Sequence, residues 1–156
     1  MSDHTSSQFD SEMEAIRSGV LAMGGLVEQQ FLRAIRFLQD DEQEPGAIDA
    51  VGAGEQQINQ FQVQIDQQCA QVIARRQPAA VDLRMILTVT KVVNDLERIG
   101  DEVKKVAYKS AQGRGVERLS RVRHYEVARV ANAALSMLRQ ALNAFARLDV
   151  DEAAEI

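Results

Sequence analysis

Apolar residues recur along this chain in alternating steps of four and three, and the clearest run lies between Pro78 and Gln112. There Met85, Val89, Val92, Leu96, Ile99, Val103 and Val106 hold the spacing from one heptad to the next, which lays a continuous stripe along a helix. Ile86 and Val93 widen the stripe on one side, and Gly100 continues their row with a residue small enough for close helix approach. The same period predicts three more helices. The first starts at Asp10 or Ser11, either of which can cap it, and carries Met13, Ile16, Val20, Met23, Val27, Phe31, Ala34 and Leu38 on one face. The second runs from about 45 to 76, with Val51, Ile58, Phe61, Ile65, Cys69 and Val72 inward. The fourth runs from about 116 to 148, with Val127, Val130, Ala134, Met137, Ala141, Phe145 and Leu148 on one face.

Turn residues punctuate these helices. Residues 1–8 are small and polar and read as a disordered tail. The acidic stretch from Asp40 to Glu44 ends the first helix, and Pro45 suits the first turn of the second. Pro78 separates the second helix from the third, and Gly113-Arg114-Gly115 closes the third. Asp149-Val150-Asp151-Glu152 reads as a turn and a new helix start. Gly24-Gly25 costs about 1 kcal/mol per glycine relative to Ala, and with no stop signal nearby the pair marks a close-packing point. Gly52 and Gly54 are expected to fray the start of the second helix. No run alternates with period two between turn clusters, so strands are not expected.

An all-α fold of long antiparallel helices follows, because the connections are short. Each helix has about 30 residues and so spans about 45 Å. Residues 9–113 can close one three-helix bundle. Residues 116–156 then open a second unit, and a faint similarity between Ala34–Glu42 (AIRFLQDDE) and Ala144–Glu152 (AFARLDVDE) suggests a repeat that restarts and is truncated. The apolar face of the fourth helix lacks partners in this arrangement, so another copy is expected to cover it, giving a homodimer.

Composition narrows the function. A chain of 156 residues suffices for a sizeable core. Its net charge of −5 argues against a nucleic-acid binder, which needs a basic face. The single cysteine cannot form an internal disulfide, the amino terminus has no secretory pattern, and no apolar run is long enough for a bilayer. These features point to the cytoplasm. Enzyme readings lack parts: no Gly-rich loop follows a strand, two histidines do not assemble a Ser/His/Asp set, and neither CxxC nor Glu-x-x-His pairs occur.

Several side chains carry candidate chemistry. Glu97 and Asp101 sit four apart just off the third helix's stripe, where like charges repel by a few tenths of a kcal/mol (about 0.2–0.5). Two readings stand: a shallow oxygen-ligand cation site at the rim of the core, or a solvated acidic face with Arg98, Lys104 and Lys105 as neutralisers. Cys69 reads as a small core residue, and His4 and His124 as exposed. Arg114, Arg118, Arg121, Arg123 and Arg129 form a basic cluster that reads as a solvated face. Arg84 and Arg98, beside Asp82 and Asp95, look like partners in ion pairs between helices.

The run Asp95-Leu96-Glu97-Arg98-Ile99-Gly100-Asp101 resembles the PhoU family of regulators of bacterial phosphate transport and phosphate-starvation signalling. So do Met23 to Gln30 (MGGLVEQQ), Ile65 to Cys69 (IDQQC) and Arg76 to Arg84 (RQPAAVDLR). Together these blocks cover nearly all of the chain from Phe9 onward. The resemblance implies two similar three-helix bundles, of which this chain matches the first and one helix of the second. It also implies clusters of iron or zinc (or another divalent cation) held by E/D-x-x-x-D pairs. Glu97 and Asp101 match the pair on the third helix. On the second helix Asp66 matches, while Gln62 stands where a glutamate is usual and removes one negative charge. The implied partners are the ATPase subunit of the phosphate ABC transporter and the phosphate sensor histidine kinase, so the membrane is reached only through partners. Arg84 and Arg98 become candidate partner-binding residues. The expected function is a non-enzymatic negative regulator acting as an adaptor between those two proteins. A carboxylate-ligated metal-binding or redox bundle is the alternative.

Overall fold

The computed structural model describes residues 2–39, 44–112 and 121–156, with side chains described from Ser7 and, in the last stretch, from Tyr125. Every described element is an α-helix: α1 (Ser2–Gln39), α2 (Ala47–Arg76), α3 (Ala80–Gln112), α4 (Arg121–Arg147) and α5 (Val150–Glu155). The expectations for His4, Arg114, Arg118 and the side chains of Arg121, Arg123 and His124 lie outside the described residues.

Helices α1, α2 and α3 pack pairwise into one three-helix bundle, as the periodicity predicts. On α3 the buried row is Ile86, Val89, Val93, Leu96, Gly100, Val103 and Ala107. Its centre is therefore the row expected to widen the stripe; Met85, Val92 and Ile99 are half-buried flanks, and Val106 is exposed. On α2, Val51, Ile58, Ile65, Cys69 and Val72 are buried as expected, with Phe61 half-buried at the edge. A main cluster joins Ile16, Val20, Met23 and Val27 of α1 to Ile58, Ile65, Val89 and Val93. A second, around Phe37, Val51, Val103 and Ala107, closes the other end.

Four expectations are corrected. Helix α1 begins at Ser2, so residues 2–8 are not a disordered tail. Phe9 packs against the main cluster, and its anchorage lets the helix propagate outward through residues with no strong breaker. Pro45 precedes α2 instead of occupying its first turn, and Gly46 caps the helix at φ 81°, a left-handed conformation that glycine adopts without steric cost. Gly54 does not fray α2; it is buried, and a Cβ there would lie 2.7 Å from Gln30 Cδ. Finally, α4 is not unpartnered, since it packs antiparallel on α1.

That last contact explains Gly24-Gly25. A Cβ on Gly24 would sit 2.5 Å from Leu142 Cδ2, whereas one on Gly25 would meet nothing within 4 Å. Gly24 thus lets α4 approach, and Arg139 of α4 donates to Glu28 of α1 at 2.7 Å one turn further along. The face of α4 on α1 is only in part the one the sequence suggests: Phe145 packs against the main cluster as expected. Ala128, Leu135, Leu138 and Ala144 are buried, while Val127, Val130, Met137 and Leu148 are exposed. Helix α4 carries two apolar faces, and periodicity alone does not choose between them. Asp149 caps α5 by accepting from Glu152 N at 2.9 Å, as its sequence predicts.

Candidate functional site

The candidate residues lie on two sides of α3. Glu97 and Asp101 lie half-buried at the core's margin, and Asp101 reaches the outward side as well. Three contacts set the antiparallel register there. Gln62 Nε2 donates to Asn94 Oδ1 at 2.8 Å, a Cβ on Gly100 would lie 3.0 Å from Ile58 Cδ1, and Lys104 Nζ lies 3.1 Å from Glu55 Oε2. Each step toward the end of α2 is matched by a step toward the start of α3. Asp66, one turn beyond Gln62, therefore lies level with Thr90. Asp101 lies about 15 Å further along the axis at 1.5 Å per residue.

This register separates the four residues expected to share a metal ion. Gln62 is committed to Asn94, and Asp101 accepts an ion pair from Lys105 at 2.8 Å. Asp66 is too distant along the axis to join Asp101. Among the described residues no group of three or more His, Cys, Asp or Glu side chains is placed to hold a metal ion. Iron and zinc need three or more donors converging at about 2 Å on one ion, and this register spreads the four residues too far along the helices for that. Iron or zinc therefore does not fit these residues as one site. The helix-pair pattern on each rod was legible in the sequence, but the sliding of one rod against the other was not.

The second side of α3 faces outward. Arg98 reaches Asp95 at 3.8 Å within the same helix, both side chains more than two-thirds exposed. Arg84 is exposed and has no ion pair among the described residues. Among the described residues neither arginine forms the ion pair expected between helices. Beside Arg98 an open depression of about 570 Å³ is lined by Phe31 and Ile99 together with Asp95, Asp101 and Glu102. Its lining mixes both charges and contains no thiol, imidazole or hydroxyl nucleophile. Such a surface can recognise a partner.

Burial, the largest influence, together with the nearby Asp66 carboxylate pushes the Cys69 thiol up to about 11, so the thiolate is scarce. Lys105 is held protonated well above the usual lysine range by its hydrogen bonds to Asp101 and Glu102. The hydrogen bond from Arg76 holds the Glu12 carboxyl below its ordinary value. This pair is forked, with Nε to Oε2 at 3.1 Å and Nη2 to Oε1 at 2.9 Å, and ties the end of α2 to α1.

One polar cluster escaped the sequence reading. Gln30 is fully buried and donates to Val51 O at 2.6 Å, while Arg33 Nη1 donates to Gln30 Oε1 at 3.1 Å and Ala50 O at 3.3 Å. Its signal was available: Gln30 stands in the row of Met23, Val27 and Ala34, where an apolar residue is expected. A buried amide with its partners satisfied fixes the axial position of α1 against α2.

Residues 20–109 match the family model described as the PhoU domain. A Pseudomonas putida protein described as a phosphate-specific transport system accessory protein PhoU homolog is 44% identical, over 100% of this chain and 60% of its own length. The Escherichia coli protein described as phosphate-specific transport system accessory protein PhoU is 36% identical, over 100% of this chain and 63% of its own. The chain spans about three-fifths of the length of these curated relatives. Among solved structures, the crystal structure of PhoU from Pseudomonas aeruginosa superposes with a TM-score of 0.87 at 44% identity, covering 94% of this chain and 69% of that one.

Proposed function

The chain belongs to the PhoU family, and on that premise we propose that it is a non-enzymatic regulator of phosphate transport. It acts as an adaptor, contacting the ATPase subunit of the phosphate ABC transporter and the phosphate sensor histidine kinase, restraining uptake and damping the starvation signal. The observation that carries this reading is the family match over residues 20–109, which coincides with the three-helix bundle. Relatives that align along the whole of this chain are named for the phosphate-specific transport system. The outward side of α3, with Arg84 and Arg98, is the proposed recognition face.

No helix among the described residues is long and apolar enough to cross a membrane. We place the chain in the cytoplasm, with the membrane reached through its partners. The exposed row Val127, Val130 and Met137 on α4 supports a second copy as its cover. A metal-binding or redox bundle finds no support in the separation of Asp66 from Asp101.

Co-purification with the ATPase and the kinase, at high and at low phosphate, tests the reading. Capture of both is expected, without turnover of any redox substrate. Failure to retain either protein under both conditions would refute the adaptor.

A further inference from the structure

Helix α3 carries two stripes in the same heptad rhythm. The inner one is the buried row from Ile86 to Ala107. The outer one runs Arg84, Leu87, Lys91, Asn94, Arg98, Asp101 and Lys105, and all but the half-buried Asp101 are exposed. Helix α4 packs on α1 and not on α3, and among the described residues α2 reaches this outer stripe through the bond from Gln62 to Asn94.

The four cations of the stripe are not equivalent. Lys105 is engaged by Asp101 and Glu102 at 2.8 Å each, and Arg98 has Asp95 beside it. Arg84 and Lys91 have no carboxylate partner among the described residues. Between them stands Leu87, half exposed, and Val81, one turn before Arg84, is largely exposed. The amino-terminal half of the stripe is therefore a cation–apolar–cation ridge with its charge unspent.

Spacing selects the ligand. Arg84 and Lys91 are seven residues apart on one side of a helix, about 10 Å, with Leu87 between them, so the ridge offers a free phosphate ion two exposed, flexible cations flanking an apolar group. A bilayer fits poorly: the ridge is one residue wide, and the chain's net charge is −5. What matches is another helix, presenting carboxylates one heptad apart with an apolar residue between them, as charged positions do across a coiled-coil seam.

We propose that the ridge Arg84–Leu87–Lys91 of α3 docks an acidic amphipathic helix of a protein partner. This rests on the reading of the chain as a protein-binding adaptor and names the surface and the chemistry it selects. The probe is a synthetic amphipathic helix with Glu at every seventh position and Leu between, followed by fluorescence anisotropy. Arg84→Glu/Lys91→Glu is expected to weaken binding at least about tenfold and Leu87→Ala to weaken it several-fold. Replacing the peptide's Glu by Lys should restore affinity to the charge-reversed protein but not to the original. Arg129→Glu, an exposed change on α4, should leave binding unaltered. Equal loss in Arg129→Glu, no loss in the double variant, or binding to phosphatidylglycerol vesicles in place of the peptide would overturn the proposal. Co-purification separates its failure from that of the adaptor reading. If the double variant still retains ATPase and kinase, the ridge is wrong and the adaptor stands; if the unaltered chain retains neither, the adaptor reading itself fails.

Discussion

Two adjacent glycines in α1 have opposite roles, and that difference is measurable. Replacing Gly25 by Ala removes a helix penalty of about 1 kcal/mol and meets no neighbour. Replacing Gly24 gains the same propensity but drives a methyl into Leu142, and overpacking of this kind costs about 1–3 kcal/mol. Thermal melts should show Gly25→Ala raised and Gly24→Ala lowered or unchanged; the reverse order would contradict the α1–α4 contact. Acid sensitivity is the other prediction at this scale. The folded Glu12 carboxyl lies below its ordinary 4.5 because Arg76 bonds to it. Its stabilising contribution is thus present above the unfolded value and is lost as pH falls through the folded one. Arg76→Gln should lower stability at neutral pH and flatten the acid limb of the stability profile. A profile parallel to that of the original chain would exclude the pair as its source.

At the scale of helices, each rod's character was readable and its neighbour was not. The buried row of α2 agreed closely with its apolar spacing, since one face of that helix is plainly richer than the other. On α4 two apolar faces compete, and packing against α1 selected the one led by Leu135 and Leu138. Register is the sharper case. The pairing of Gln62 with Asn94 and of Glu55 with Lys104 puts Asp66 out of reach of Asp101. A short bismaleimide should join Gln62→Cys to Asn94→Cys and fail to join Asp66→Cys to Asp101→Cys. Buried Cys69, with its thiol pushed up to about 11, should not compete. Efficient cross-linking of the second pair would reinstate a shared site. The same register predicts equal iron and zinc content in the original chain and in Glu97→Ala/Asp101→Ala, by elemental analysis.

For the molecule as a whole, α1 is the shared element: it faces α2 and α3 on one side and α4 on the other. Covering α4 leaves its outer row, Val127, Val130 and Met137, in solvent. If a second copy seals that row, Val130→Lys/Met137→Lys should convert a dimer to a monomer in light scattering while the helical circular dichroism is unchanged. A monomer already present in the original chain at micromolar concentration would remove that face from self-association.

By itself the sequence determined the all-α class, the helices and most of their inward rows, because a period near 3.6 places apolar groups on one side of a rod whatever lies opposite. It also carried the family blocks, including Asp95 to Asp101. Only the tertiary structure decided which face of α4 is buried, why Gly24 and Gly54 must lack a side chain, and how far α2 slides along α3. Those are relations between rods. They depend on complementary shapes such as Gly24 against Leu142 and on paired polar groups such as Gln30 with Val51. The one-dimensional pattern of a single helix does not encode where its neighbour begins.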